Sequence, residues 1–327
     1  MTHHNLKPVD HIEITVLIEY KTDSLSSVPQ GFTTEWVNLR NAGMEKLSGS
    51  CQCCANHGLS LIISAFRGEH KKTMLFDAGP VDFAVEYNGS RLGAIFGEID
   101  AVMLSHGHWD HAGGLPMAVD LIRQNRPDGD LPIYLHPAMF RQRALPLPGG
   151  DLLPIREIAT PEQLKDGGAD PVILNHATTA LDFMFYISGE IPRVTPYEKG
   201  FPGHMRRTED GKDWEPDPLI MDERFLAVNI KDKDLVVFSA CSHAGIVNVL
   251  YSARESLPQI PIHSLIGGYH LSGANEKIFE ETVEDFEQFD VDLILPGHCT
   301  GWRATNALER KFGERVVPIA VGMKIEL

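Results

Sequence analysis

The chain has 327 residues, 43% hydrophobic and 23% charged, a composition that can bury a large core without disulfides. Its 45 acidic against 29 basic residues, a net charge of −16, argue against general nucleic-acid binding, which needs a basic surface to neutralise phosphate. The start of the chain is polar and no apolar run reaches the roughly 18 residues of a membrane span, so a cytoplasmic setting with no membrane partner is expected.

His11 to Glu19 alternates apolar and polar residues and reads as a strand. The irregular polar stretch 20–56 is long enough to be a lid. Leu59 to Phe66 and Thr73 to Phe76 read as strands that end at Asp77-Ala78-Gly79, with a helical region over 81–96. A buried strand, Ala101 to Leu104, runs into Ser105-His106-Gly107-His108-Trp109-Asp110-His111-Ala112-Gly113-Gly114 and a helix from Leu115 to Asn125. After a short strand at Ile133 to Leu135, the Pro- and Gly-rich stretch 141–170 predicts loops with short helices.

Phe183 to Ile187 reads as a strand, and 195–220 as a second candidate lid. Phe225 to Ile230 and Leu235 to Phe238 form a predicted hairpin, followed by a helix from Gly245 to Glu255. A short strand at Leu265-Ile266, a helix from Asn275 to Phe289, a strand at Leu293 to Leu295 and a strand from Val316 to Lys324 complete the reading. No domain boundary is visible, so one domain over 1–327 is expected, with two packed sheets and helices outside.

Histidines carry the chemical signal. His106, His108, Asp110 and His111 lie within six residues, where a strand gives way to a Gly-led helix. His-x-His on extended backbone puts two imidazoles on one side, and such a loop can feed two metal ions about 3.5–4 Å apart. His243 and His298 also follow apolar strands, at the carboxyl edge where sites collect in layered α/β folds, and are read as further ligands. His270 has similar placement and is read with Arg193 as substrate-binding; Arg303 is another candidate anion clamp. His57 and His136 are weaker candidates, while His176, His204 and His263 are read as structural or exposed.

Five cysteines, an odd number, argue against a disulfide framework. Cys51, Cys53 and Cys54 read as free thiols in the first lid; Cys241 and Cys299 read as small packing residues, with a thiolate beside the metal as the alternative.

The run from Ser105 to Gly114, with Asp77 upstream, resembles the metal-binding signature of the metallo-β-lactamase superfamily. The resemblance implies an α/β fold, a four-layer αββα sandwich of two mixed sheets with helices outside. It also implies one or two divalent ions (zinc, with manganese or iron as alternatives) and catalytic roles for Asp110 and Asp77. Asp77 would support a ligand imidazole, and Asp110 would bind the second metal and orient the attacking hydroxide.

His57-Gly58-Leu59-Ser60, Cys241-Ser242-His243-Ala244-Gly245 and Gly297-His298-Cys299-Thr300-Gly301 are similar to a branch labelled dihydropterin-ribofuranosylaminobenzene-phosphate synthase. Two positions depart from the superfamily pattern. Gly189-Glu190 stands where a Gly-His pair is usual, and Ser242-His243 stands near the usual Gly-Asp. His243 could therefore replace the bridging Asp, and Glu190 could be a ligand or structural.

The expected activity is hydrolysis of an ester, phosphoester or related bond in a small molecule, anionic ones included. Pterin-type synthase chemistry, an iron redox role and a metal sensor are the alternatives.

Overall fold

The computed structural model describes residues 5–327. An eight-stranded sheet runs in the order Phe32–Thr33, Lys324–Glu326, His11–Ile18, Ser60–Arg67, His70–Phe76, Ala101–Met103, Pro132–Leu135, Asp170–Ile173. A six-stranded sheet runs Thr178–Ala180, Phe185–Ile187, Leu226–Ile230, Asp234–Ser239, Ile262–Gly268, Leu293–Gly297. Both are mixed: meanders pair antiparallel, while the strands followed by crossover helices pair parallel.

The two sheets face each other across one core. Ile12, Ile14, Ile63 and Phe76 of the first pack against Phe185, Val228, Phe238 and Leu295 of the second. Helices Asp82–Leu92 and Leu115–Asn125 cover the outside of the first sheet through Val85, Leu115, Val119 and Ile122. Helices Ile246–Ser256, Phe279–Phe286 and Trp302–Phe312 cover the second through Val247, Leu250, Phe286 and Leu308. The result is the expected four-layer αββα sandwich. The parallel strands, such as Ala101–Met103, are apolar on both faces because both are covered, whereas His11–Ile18 alternates and leaves Glu13 and Thr15 half-buried on the outer face.

Three regions differ from expectation. The stretch 141–170 is not loops with helices alone: Arg143–Pro146 and Leu152–Ile155 form a hairpin. That hairpin pairs with a second one, Met205–Arg207 with Trp214–Pro216, inside 195–220. Together they make a four-stranded cap sheet whose partners lie some sixty residues apart, beyond the reach of local periodicity. The C-terminal strand is limited to Lys324–Glu326: Val317 and Ile319 donate instead to Ile294 and Pro296 of strand Leu293–Gly297 in the second sheet before the chain turns.

The segment 20–56 contains the helix Glu35–Asn41 and packs Leu39 and Cys53 on Val321 beside the first sheet. Among the described residues no helix is long and apolar enough to cross a membrane.

Candidate metal centre

The carboxyl ends of the parallel strands from both sheets meet at one edge. Asp77 follows His70–Phe76, and the His106–His111 loop follows Ala101–Met103. Cys241 and His243 follow Asp234–Ser239, His270 follows Ile262–Gly268, and His298 follows Leu293–Gly297. Asp77, Ser242, His270 and His298 all adopt positive φ, between 43° and 59°. Such backbone costs on the order of 1–3 kcal/mol for a non-glycine residue and gathers where function requires it.

The loop's glycines are fixed by space. A Cβ on Gly107 would lie 2.3 Å from the Met139 carbonyl oxygen, and one on Gly113 would lie 2.0 Å from that of Pro80. Only glycine lets the loop pack this tightly against its neighbours.

Two groups of donor atoms result, each with all atoms within 4.8 Å of one another. One is His106, His108 and His243; the other is Asp110, His111, His298 and Cys241. All seven residues are buried. The sequence-derived ligands therefore converge, divided three and three between the groups, and Cys241 joins the second. Its Sγ lies 3.1 Å from His111 Nε2. His243 falls with the histidine group rather than between the two. No further group of this kind forms among the described residues, and Cys51, Cys53 and Cys54 belong to neither.

Hydrogen bonds fix which nitrogen faces inward. Asp77 Oδ2 lies 2.8 Å from both Ser105 Oγ and His111 Nδ1. A carboxylate only accepts, so His111 keeps a proton on Nδ1, and Nε2 is the nitrogen that faces inward. The Ser105 hydroxyl proton goes to Asp77, so His106 Nδ1, 2.9 Å from Ser105 Oγ, is the donor there, which leaves the lone pair on His106 Nε2, 3.0 Å from His108 Nδ1. Both ring nitrogens of His243 and Nδ1 of His298 have no hydrogen-bond partner in the buried site, and His298 Nε2 meets only the Asp110 carboxylate, at 3.3 Å.

Orphaned, buried nitrogens are costly unless something binds them, and a divalent cation fits this donor set. Electrostatics agrees. Burial pushes His106, His108 and His243 well below the ordinary histidine range, and His298 down to about 4. These rings are neutral at pH 7. Burial opposes the charge on Asp110, but His111 and His298 hold its carboxyl below the usual range.

Four buried acids pin the backbone of the loops that carry these donor atoms. Asp77 Oδ1 accepts from Ser105 N at 2.7 Å, and Asp222 Oδ2 from Gly107 N at 2.8 Å. Glu223 accepts from His243 N at 2.8 Å and Ala244 N at 2.6 Å, and Glu19 from His298 N at 2.8 Å. Burial pushes Glu19 up to about 8, although the His298 N–H pulls the other way. Of the four, only Asp77 is legible from the sequence pattern. The signal for two others is the run Asp222-Glu223-Arg224, three charges set directly against an apolar strand.

Asp222 is itself paired with Arg143 of the cap sheet at 2.6 Å, both buried. Changing Arg143 to Met strands that carboxylate and should cost about 3–5 kcal/mol of stability. Urea denaturation of the metal-free variant checks this; a loss below about 1 kcal/mol would show the pair to be dispensable.

The remaining candidates divide. His57 stands at the mouth, its Nε2 3.6 Å from Asp110 Oδ2, beside Trp109. The ring of His270 lies 4.4 Å from that of His243. It shares a small cleft with Lys199, Gly200, Ser242 and Asn275. Arg193, expected to meet substrate, donates instead to the carbonyls of Ile191, Leu219 and Ile220. Arg303 pairs with Glu276.

Glu190 is exposed, its carboxylate 3.4 Å from His136 Nε2, and lies outside both donor groups. His136 caps the short helix Pro137–Phe140 through Ala138 N. His204, read as structural or exposed, is fully buried against His108, with 3.0 Å between their Nε2 atoms.

The architecture is the metallo-β-lactamase fold, and residues 62–189, which include Asp77 and the His106–His111 loop, match the family model described as Metallo-beta-lactamase superfamily. Over 262 residues, 80% of this chain and 86% of the relative, it is 28% identical to a 7,8-dihydropterin-6-methyl-4-(β-D-ribofuranosyl)-aminobenzene-5'-phosphate synthase of Methanocaldococcus jannaschii. It is 29% identical to an uncharacterised protein of the same organism, over 78% of this chain and 88% of that one. A solved metal-dependent hydrolase of the β-lactamase superfamily superposes with a TM-score of 0.70 at 22% identity, covering 97% of this chain and 99% of that one. A metallo-β-lactamase fold protein from Bacillus subtilis gives 0.51 at 13% identity, covering 97% of this chain and all of the other.

Proposed function

We propose that the protein is a metal-dependent hydrolase that holds two divalent ions, zinc first among them, and cleaves an ester or phosphoester bond in a small molecule. The observation that carries this reading is the pair of adjacent buried donor groups, His106/His108/His243 and Asp110/His111/His298/Cys241. A bound metal pair supplies a water acidified to a pKa of about 7 and a Lewis acid for the substrate oxygen.

The chain's own residues do the rest. Asp77 keeps His111 and, through Ser105, His106 in the tautomers that face inward. Asp110, ionised at all working pH, sits where it can accept a proton from a nucleophilic water. Lys199 and His270 line the cleft beside His243 and can meet an anionic substrate group. His57, with its side chain 60% exposed, stands at the mouth of the second group and is the candidate to hand a proton to a leaving group.

The hydrolytic reading is consistent with the structural neighbour described above as a metal-dependent hydrolase. The similarity to the pterin-pathway synthase supports a second one, in which the same site forms a dihydropterin-ribosylaminobenzene phosphate.

A panel of phosphodiesters, phosphomonoesters, lactones and thioesters, assayed with zinc-, manganese- and iron-loaded protein, separates them. Turnover of one ester class, lost on Asp110→Asn, is the expected result. No hydrolysis by fully loaded protein, with synthase turnover instead, would favour the second reading.

A further inference from the structure

The cap sheet touches the donor groups at one ligand. His204, directly before strand Met205–Arg207, is wholly buried, and its Nδ1 lies 3.0 Å from the backbone carbonyl of Asp217, at the end of strand Trp214–Pro216. A carbonyl only accepts, so Nδ1 of His204 carries a proton and, in the neutral ring, Nε2 carries a lone pair. That lone pair faces His108 Nε2 at 3.0 Å. His108 must then donate from Nε2, which leaves the lone pair on Nδ1.

His108 Nδ1 in turn lies 3.0 Å from His106 Nε2, the atom freed by Ser105. Two lone pairs thus face each other at hydrogen-bond distance with no proton assigned between them. A cation between them removes the repulsion.

We propose that His204 is a positioning residue of the His106/His108/His243 group: the cap sheet selects the His108 tautomer, so that cap docking and metal binding are one coupled equilibrium. This rests on that group holding a metal. The chain of bonds runs from the Asp217 carbonyl through His204 and His108 to the metal. Each ring is locked by the one before it. The cap is tied to the same loop a second time by the Arg143–Asp222–Gly107 link, which places His204 without depending on metal. Metal binding is therefore expected to tighten strands that already lie over the site, and loosening of those strands is expected to weaken metal binding.

His204→Phe keeps a ring of similar size but removes the acceptor; His204→Gln can still accept from His108 and donate to Asp217. Zinc affinity, measured by competition with a chromophoric chelator, is expected to fall about 10–100-fold in the Phe variant and to stay within about threefold of the parent in the Gln variant. Hydrogen exchange supplies an independent readout. Zinc should slow the amides of Met205–Arg207 and Trp214–Pro216 in the parent and the Gln variant, and not in the Phe variant.

An affinity within about threefold of the parent for His204→Phe, or equal losses in both variants, would overturn the proposal while leaving the metal site standing. A parent chain that binds no zinc would overturn both.

Discussion

His106→Ala combined with His108→Ala should give a folded chain that no longer holds metal at its three-histidine group. The two changes remove two of three donors and leave His243 alone, which a divalent ion does not occupy stably at micromolar concentration. The fold should persist, because the loop is pinned by Asp77 and Asp222 through the Ser105 and Gly107 amides, and neither bond involves an imidazole. Zinc content by elemental analysis, with far-ultraviolet circular dichroism for the fold, gives the answer. Native structure with undiminished metal would mean that these histidines are not the ligands.

The second large effect concerns protons. The imidazoles of His106, His108 and His243 are unprotonated at neutral pH because burial lowers their pKa, so metal entering that group displaces none from them. The other group differs. Burial pushes the Cys241 thiol well above the ordinary range. Burial also opposes charge on His111, but Asp110 and Asp77 more than compensate and raise it. Both must lose protons to bind metal.

The sign follows directly. A ligand whose pKa is raised competes with metal until the pH climbs through that pKa, so affinity at the second group should rise about tenfold per pH unit for each proton released. Affinity at the first group should be flat between about pH 6 and 8. Calorimetric titration in buffers of different ionisation enthalpy counts the protons. Cys241→Ala should release about one proton fewer than the parent and should bind the second metal at least about tenfold more weakly. An unchanged proton count would remove Cys241 from the ligand set.

The sequence carried the site's centre and missed its frame, for a physical reason. His106, His108, Asp110 and His111 are adjacent in the chain, and the glycines around them mark the tight backbone they need. His243 and His298 were legible because each ends an apolar strand with a polar turn. Cys241 was harder: two residues before His243, it has the same burial as a packing cysteine, and only the geometry puts its sulfur 3.1 Å from His111.

His204 was invisible from the sequence because its neighbours come from tertiary pairing. Met205 pairs with Ala144 across sixty residues, and nothing in the local pattern of either hairpin announces that contact. Arg193 was read as substrate-binding from its charge and place alone; in the fold its guanidinium donates to the backbone carbonyls of Ile191, Leu219 and Ile220, contacts that no local pattern announces.

One measurement tests the paired metal site most directly: the metal content of the chain purified without a chelating tag, then dialysed with zinc, manganese or iron(II) and desalted. Two intact donor groups predict about two divalent ions per chain, falling to about one when His106 and His108 are both replaced. Less than about 0.1 ion per chain with every metal would contradict that site, since the seven buried donors would then be a polar core and not a binding site.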